Sequence, residues 1–199
     1  MSSKALMTLI ESLTKLPGVG AKTAARLAYH IVDMSAEDVA ALAEAIRNIK
    51  TETHTCAICF TTIDSGREVC EICESPSRDD KTICVVKDAK DLDAIEHADF
   101  YKGRYHVTGG LISPMAGTAQ EDLRFNELLE RVQKSGVAEV IVAFEPTIEG
   151  NITAQFIAKM LKPFDVKVTK LAQGMAVGAD FAGTDSVTIA RAIENRVPV

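Results

Sequence analysis

Apolar residues recur every three or four positions over the first fifty residues of the chain. This spacing places them on one face of a helix and therefore predicts amphipathic helices. The first helix is predicted over residues 4–16, where Pro17 and Gly18 end it. A second is predicted over residues 21–32, and a third follows Ser35, whose hydroxyl is a favourable N-cap. The N-terminal quarter of the chain is therefore expected to be helical.

From Thr82 onwards, short apolar runs alternate with amphipathic ones. The apolar runs predict strands at TICVV (82–86), RYHV (104–107), AEVIVAF (138–144) and VKVTKLA (166–172). The amphipathic runs predict helices at DAKDLDAIEHA (88–98), EDLRFNELLERVQKSG (121–136) and NITAQFIAKML (151–161). Strands that alternate with helices are typical of a parallel sheet covered by helices. The fold class predicted is α/β (α+β overall), with an N-terminal helical hairpin and a small cysteine-rich module.

Composition narrows the class of protein. The chain has 199 residues, a formal net charge of −6, 47% hydrophobic and 25% charged residues, which is ordinary for a globular protein. The N-terminus lacks a cleavable apolar run, and no apolar stretch is long enough to span a bilayer, so we expect a cytoplasmic protein without membrane partners. The acidic balance argues against general polyanion binding but leaves room for a local basic patch.

Four cysteines carry the strongest chemical pattern in the chain. Cys56 and Cys59 form one Cys-x-x-Cys pair, and Cys70 and Cys73 form another. Two such turns supply the four thiolates of a tetrahedral structural zinc site, with no open position for catalysis. A segment this small cannot bury enough surface to fold alone, and one bound Zn²⁺ would stabilise it.

Two alternatives for these cysteines are less favoured. Disulfides are disfavoured in a reducing compartment, and a redox Cys-x-x-Cys needs a strand–helix context that neither pair has. The fifth cysteine, Cys84, lies inside an apolar run and is expected in the core. His54 is close to the cluster but is expected on the surface.

The stretch LPGVGAKTAARLAYH, residues 16–30, lies in a window from Ser12 to Val32 that contains no Asp or Glu. Its glycines permit positive φ and close approach of a ligand, and the N–H groups at the start of the next helix suit an anion. Cations one turn apart on that helix would face the same phosphates. The DNA-binding residues predicted are Lys15, Gly18, Gly20, Lys22 and Arg26.

This pattern is typical of a helix–hairpin–helix motif, which grips the DNA backbone without reading bases. The alternative is a solvated helical hairpin with ordinary surface cations. Aromatic residues make up 5% of the chain and Trp is absent, which disfavours base stacking. We therefore expect contacts to phosphates, little sequence preference and strong dependence on salt.

The order of these motifs resembles the bacterial recombination mediator family RecR. The resemblance rests on LPGVGAKTAARLAYH, C-x2-C-x10-C-x2-C, ICVV, YHVTGGLISPMAG, EPTIEG and AVGAD, in collinear order over nearly the whole chain. It implies a helix–hairpin–helix domain over 1–52, a zinc finger over 53–79, a Toprim domain over 80–172 and a C-terminal segment over 173–199 that serves in oligomer contacts.

The resemblance also implies a function and partners. RecR proteins act with RecO and RecF to help RecA replace single-strand-binding protein on gapped DNA. A ring-shaped oligomer, expected to be a homotetramer associated with the nucleoid, would encircle DNA. The four paired cysteines carry over as zinc ligands, and Lys22 and Arg26 carry over as DNA contacts. The Toprim acids Glu149, Glu145 and Asp88 are expected to bind a partner protein, with Glu149 in the segment associated with RecO.

Three Toprim positions differ from the residues usual in the family. Lys87 stands where Glu is usual, Glu145 where Asn is usual, and Asn151 where Glu is usual. If the first two lie at the carboxyl ends of adjacent strands, they are expected to form an ion pair that contributes about 0–1 kcal/mol.

These changes also bear on catalysis. Toprim enzymes need a Glu and an Asp-x-Asp cluster to hold Mg²⁺, whereas this chain has Lys87 and a single carboxylate at Glu145. The chain also lacks a Walker A sequence. We expect a non-enzymatic DNA clamp. The alternatives are a Mg²⁺-dependent Toprim nuclease or topoisomerase-like enzyme, and a pure protein adaptor.

Overall fold

The computed structural model describes residues 3–198. The predicted segments 1–52 and 173–199 therefore each extend slightly beyond the described residues, by Met1 and Ser2 at one end and by Val199 at the other. One compact unit ends at Thr53, and the second begins at His54. The helices are α1 Lys4–Leu13, α2 Ala21–Asp33, α3 Ala36–Glu52, α4 Glu71–Glu74, α5 Ala89–His97, α6 Phe125–Ser135, α7 Ile148–Leu161 and α8 Ser186–Glu194. The strands are β1 Thr53–Thr55, β2 Thr62–Asp64, β3 Thr82–Val86, β4 Arg104–Val107, β5 Glu139–Val142 and β6 Lys167–Lys170. Within residues 3–198, every helix is too short or too polar to cross a membrane.

The first unit contains the three helices predicted, with one change of boundary. Helix α1 ends at Leu13, three residues before the predicted end. The N–H groups of Lys15 and Leu16 bond three residues back, to Ser12 and Leu13, which tightens the chain into a turn. At α3 the predicted cap is confirmed, because the Ser35 hydroxyl accepts a hydrogen bond from the Asp38 N–H at 3.0 Å.

The first unit leaves much apolar surface uncovered. Helix α2 buries Ala24 and Ala28, whereas α1 and α3 contain no fully buried residue. The exposed apolar residues of α3 are Leu42, Ile46 and Ile49. Large apolar side chains at helical spacing are normally buried, so this face of α3 has the character of an interaction surface.

The second unit is built on a parallel sheet with strand order β4-β3-β5-β6. Its register pairs Val86 with Val107 and Val142 with Lys170, so the carboxyl ends of the strands meet at one edge. One face of β3 packs with α6 and α7 through Ile83 and Val85. The other face packs with α5 through Cys84, which is buried as predicted. The α/β fold class is therefore confirmed.

Several boundaries in the second unit differ from those predicted. Helix α6 begins at Phe125 rather than residue 121, because Gln120–Asp122 forms a separate 3₁₀ turn. Helix α7 begins at Ile148 rather than residue 151, because the Thr147 hydroxyl accepts a hydrogen bond from the Gly150 N–H at 3.0 Å and caps the helix early.

The C-terminal segment contains a helix that was not predicted. Helix α8 spans Ser186–Glu194, and Asp185 is its N-cap. The Asp185 carboxylate accepts hydrogen bonds from the N–H groups of Val187 and Thr188, both at 3.0 Å. An Asp followed by a short apolar stripe is a recognisable helix start.

Strand β4 lies at the edge of the sheet and buries a histidine. His106 is fully buried, and its Nε2 donates to the Arg124 carbonyl at 2.7 Å. Its Nδ1 accepts from the Arg131 guanidinium at 3.3 Å, which fixes the neutral tautomer. Burial lowers the pKa of His106 from 6.5 to about 4. The folded protein therefore binds a proton at this ring less readily than the unfolded chain does.

This shift predicts a loss of stability in mild acid. The unfolded chain takes up the His106 proton first, so the free energy of unfolding falls by about 2 kcal/mol between pH 7 and pH 5 through this ring. The measurement is urea unfolding across that range for the wild type and His106→Gln. The wild type should lose more stability than the variant. Equal pH dependence of wild type and His106→Gln would contradict the assignment.

Candidate functional site

The four predicted cysteine ligands lie together in the second unit. The Sγ atoms of Cys56, Cys59, Cys70 and Cys73 are all within 4.8 Å of one another. A tetrahedron with metal–sulfur bonds of about 2.3 Å has sulfur–sulfur edges of about 3.8 Å, so the cluster is close to the size that Zn²⁺ requires. Within residues 3–198, this is the one group of three or more candidate ligands that converges in this way.

Backbone N–H groups point at the sulfurs and favour their thiolate form. The N–H groups of Ile58 and Cys70 donate to Cys56 Sγ at 3.4 and 3.3 Å, and the Cys73 N–H donates to Cys70 Sγ at 3.4 Å. Hydrogen bonding from Cys59 lowers the pKa of the Cys70 thiol, and the same contact raises the pKa of Cys59. The sulfurs thus share protons that a metal ion would displace.

The cysteine module covers the open edge of β4. The Val107 N–H donates to the Cys59 carbonyl at 2.8 Å, and the Phe60 ring meets His106 edge-on, with ring centroids 5.5 Å apart. Arg104, the first residue of β4, donates to the Ile72 carbonyl at 2.5 Å and to the Ser75 carbonyl at 3.0 Å. Because an unpaired edge strand invites unwanted pairing, this cover protects the sheet.

The glycine bend of the first unit is open to solvent. Gly18 has φ of +79°, a conformation that side chains rarely adopt, and Gly20 is the N-cap of α2 without a side-chain cap. A Cβ atom at either glycine would meet nothing within 4 Å. Among residues 3–198, no acceptor is found for the N–H groups of Gly20, Ala21 and Lys22.

The predicted cations lie exposed beside this bend. Lys15, Lys22 and Arg26 are all exposed, and none of them forms an ion pair within the described part of the chain. The first turn of α2 holds no acidic residue, so its N-terminal positive charge is uncompensated. Cationic side chains and free N–H groups together favour an anion with several oxygens.

The chain is similar to known proteins over nearly its whole length. Residues 6–50 match the family model described as "RecR, helix-hairpin-helix", and residues 81–172 match the Toprim domain. Relatives named "Recombination protein RecR" come from Rippkaea orientalis, which is 47% identical over 98% of both chains, and Paenarthrobacter aurescens, which is 43% identical over 98% of both chains. A further relative from Thermosynechococcus vestitus is 46% identical over 98% of this chain and 95% of its own. The chain belongs to the RecR family. The resemblance inferred from the sequence is thereby confirmed.

In this RecR family member, the Toprim acids do not converge on one point. Asp88 is the N-cap of α5, where its carboxylate accepts from the Asp91 N–H at 2.9 Å. Glu149 lies in the first turn of α7 and is partly exposed. Glu145 lines a cavity of about 580 Å³ at the carboxyl edge of the sheet, together with Asp91 and Asn151. In the described chain these acids form no cluster of three metal ligands.

The predicted ion pair between Lys87 and Glu145 is confirmed. Lys87 directly follows β3, Glu145 follows the adjacent β5, and their side chains are hydrogen-bonded. Asp91 Oδ2 lies 3.8 Å from the same Lys87 ammonium. The hydrogen bond that Lys87 donates to Glu145 raises the pKa of Lys87. Lys87 therefore neutralises the Glu145 carboxylate at the carboxyl edge of the sheet.

Sequence reasoning did not identify Arg104 or Arg131 as neighbours of the cysteine cluster. Arg104 lies 32 positions along the chain from Ile72, to whose carbonyl it donates a hydrogen bond. Arg131 comes from α6 and lines the same cavity as Cys73. No local sequence pattern marks such contacts, because they arise from the path of the fold around β4.

We expect the Lys87–Glu145 pair to add little stability. The Glu145 side chain is 54% exposed, so water screens the attraction. A double-mutant cycle of Lys87→Met and Glu145→Gln, measured by urea unfolding, should give a coupling free energy of about 0–1 kcal/mol. A coupling well above about 2 kcal/mol would contradict this and indicate a desolvated pair.

Proposed function

We propose that this RecR family member is a DNA-binding protein of recombination and DNA repair that acts as a non-enzymatic clamp. The observation that carries the proposal is the exposed glycine bend between α1 and α2. Its unpaired N–H groups at Gly20, Ala21 and Lys22 supply donors, and exposed Lys22 and Arg26 supply charge. Phosphate oxygens of nucleic acid satisfy both at once.

The spacing of the cations supports backbone recognition rather than base readout. Lys22 and Arg26 are four residues apart on α2, so they lie on one face one turn apart. Lys15 approaches the bend from the preceding turn, and Gly18 and Gly20 leave room for a phosphate beside the backbone. These groups carry no sequence-specific pattern, so affinity would depend on salt more than on sequence.

The cysteine cluster is proposed to hold one structural Zn²⁺ per chain. Four thiolate ligands in tetrahedral reach are the donor set that zinc prefers, and no position remains for a substrate. Cys56, Cys59, Cys70 and Cys73 would hold the ion. The module would then keep its cover on β4, through the Cys59 carbonyl and the Phe60 ring.

We propose a ring of several chains, expected to be a homotetramer, as the working form. The uncovered apolar face of α3 supports subunit contacts, and the C-terminal segment, with α8, offers further apolar surface. A ring reconciles the net charge of −6 with DNA binding, because it gathers several basic bends at one opening. Linked weak contacts then act at high effective concentration.

The Toprim domain is proposed to bind partner proteins rather than to catalyse phosphoryl chemistry. Lys87 neutralises Glu145, and Asp88 caps α5, which leaves Glu149 at the partly exposed start of α7. By family resemblance the partners would be RecO and RecF, in support of RecA loading on gapped DNA coated by single-strand-binding protein. Such work would be cytoplasmic and associated with the nucleoid.

The DNA proposal predicts a specific loss in the double variant Lys22→Ala, Arg26→Ala. Its affinity for duplex DNA should fall equally for unrelated sequences, and the slope of log affinity against log salt should flatten by about two, since each phosphate contact contributes nearly one. Fluorescence anisotropy at several salt concentrations measures both quantities.

The matched control removes two lysines from the second unit. Lys102 and Lys134 are exposed but contact carboxylates of Asp99 and Glu130, so Lys102→Ala, Lys134→Ala changes net charge equally without touching the bend. The control should bind DNA as the wild type does. Unchanged affinity in the Lys22, Arg26 variant would instead favour a protein adaptor. Magnesium-dependent DNA cleavage lost on Glu149→Gln would favour a Toprim enzyme.

A further inference from the structure

The guanidinium of Arg131 lies in the second unit without a carboxylate partner. Helix α6 supplies it, and its Nη1 donates to the Tyr105 carbonyl at 2.7 Å and to His106 Nδ1 at 3.3 Å. The acids on the same helix are engaged elsewhere, because Glu127 pairs with Arg124 and Glu130 pairs with Lys134. Between residues 3 and 198, no carboxylate oxygen lies within 4.0 Å of Arg131. A partly buried cation of this kind needs a source of negative charge.

The thiolates of the cysteine cluster can supply this negative charge. Arg131, Arg104 and Cys73 line one cavity of about 250 Å³, at the side of the module that faces the sheet. Asp80 also lines this cavity, but it is largely exposed and its carboxylate lies 3.8 Å from the Lys81 ammonium. Two arginines and one proposed metal ligand therefore line the same cavity.

Arg104 holds the backbone on either side of that ligand. Its Nη1 and Nη2 donate to the carbonyls of Ile72 and Ser75, and Cys73 lies between these two residues. Arg104 is likewise without a carboxylate partner in the described chain. The Arg104 guanidinium therefore holds the backbone turn that positions the Cys73 sulfur.

The charges match. Four thiolates around one divalent cation leave a double negative charge, and in a partly desolvated site that charge weakens metal binding unless cations lie nearby. Arg104 and Arg131 supply a double positive charge from the flanking strand and helix. Outer-shell groups of this type commonly set metal affinity although they touch no metal.

We propose that Arg131, together with Arg104, forms a cationic outer shell that compensates the charge of the four-cysteine metal centre. Both are positioning residues, contributed by β4 and α6 rather than by the cysteine module. The metal affinity of the module therefore depends on the α/β domain on which it rests. This inference builds on the metal site proposed above.

The test compares charge with shape at position 131. Arg131→Gln keeps a polar side chain but removes the charge, whereas Arg131→Lys keeps the charge. The control Lys134→Gln removes a charge from the exposed side of the same helix. Full-length protein is titrated with Zn²⁺ against a chelator of known affinity, and each variant's dissociation constant is compared with that of the wild type.

We expect Arg131→Gln to weaken Zn²⁺ binding at least about tenfold, and Arg131→Lys to stay within about threefold of the wild type. Lys134→Gln should match the wild type. Equal losses in the Gln and Lys variants, or no loss in the Gln variant, would overturn the proposal. If Arg131→Gln does not fold, Arg104→Gln takes its place and should also weaken Zn²⁺ binding at least about tenfold, whereas an unchanged dissociation constant would overturn the proposal. A wild-type chain that binds no Zn²⁺ would instead refute the metal site itself.

Discussion

The proposed function depends on unsatisfied backbone donors at an exposed glycine bend. The N-cap of helix α2 is Gly20, which has no capping side chain, and the first turn of the helix holds no acid. A helix start of this kind normally finds an acceptor in its own sequence, usually a Ser, Thr, Asp or Asn. Helix α3 does so at Ser35, and α8 does so at Asp185. The first turn of α2 has no such cap and lies beside exposed Lys22 and Arg26, so its N–H groups are open to the proposed phosphate contacts.

The second unit solves a different problem, which is how to seal an edge strand. Strand β4 pairs with β3 on one side, and the cysteine module occupies the other through the Cys59 carbonyl. The module has few apolar residues of its own, so its shape depends on the four sulfurs and on Arg104. The proposed metal site, the cover on β4 and the burial of His106 are therefore parts of one arrangement. Loss of a bound ion would then disturb the sheet as well as the module.

The sequence predicts features that are written locally and misses those that depend on the path of the chain. The strands at 82–86 and 104–107, the cap at Ser35 and the cysteine ligands follow from short patterns of spacing and residue type. The Lys87–Glu145 pair was also predictable, because both residues follow strands that a parallel sheet places side by side. The contacts of Arg131 were not, since they require that α6 pass beside a module more than fifty residues earlier in the chain. Helix α8 was missed although Asp185 marks its start.

Phosphate binding at the glycine bend is tested most directly by amide hydrogen exchange of the full-length protein, measured with and without duplex DNA at low salt. If phosphates accept from the bend, peptides that cover residues 16–27 should gain protection on DNA binding, and the gain should disappear at high salt. Exposed α3 peptides serve as an internal comparison for protection that arises from subunit assembly. DNA-dependent protection elsewhere in the chain, with exchange at the bend unchanged, would contradict phosphate binding at the bend.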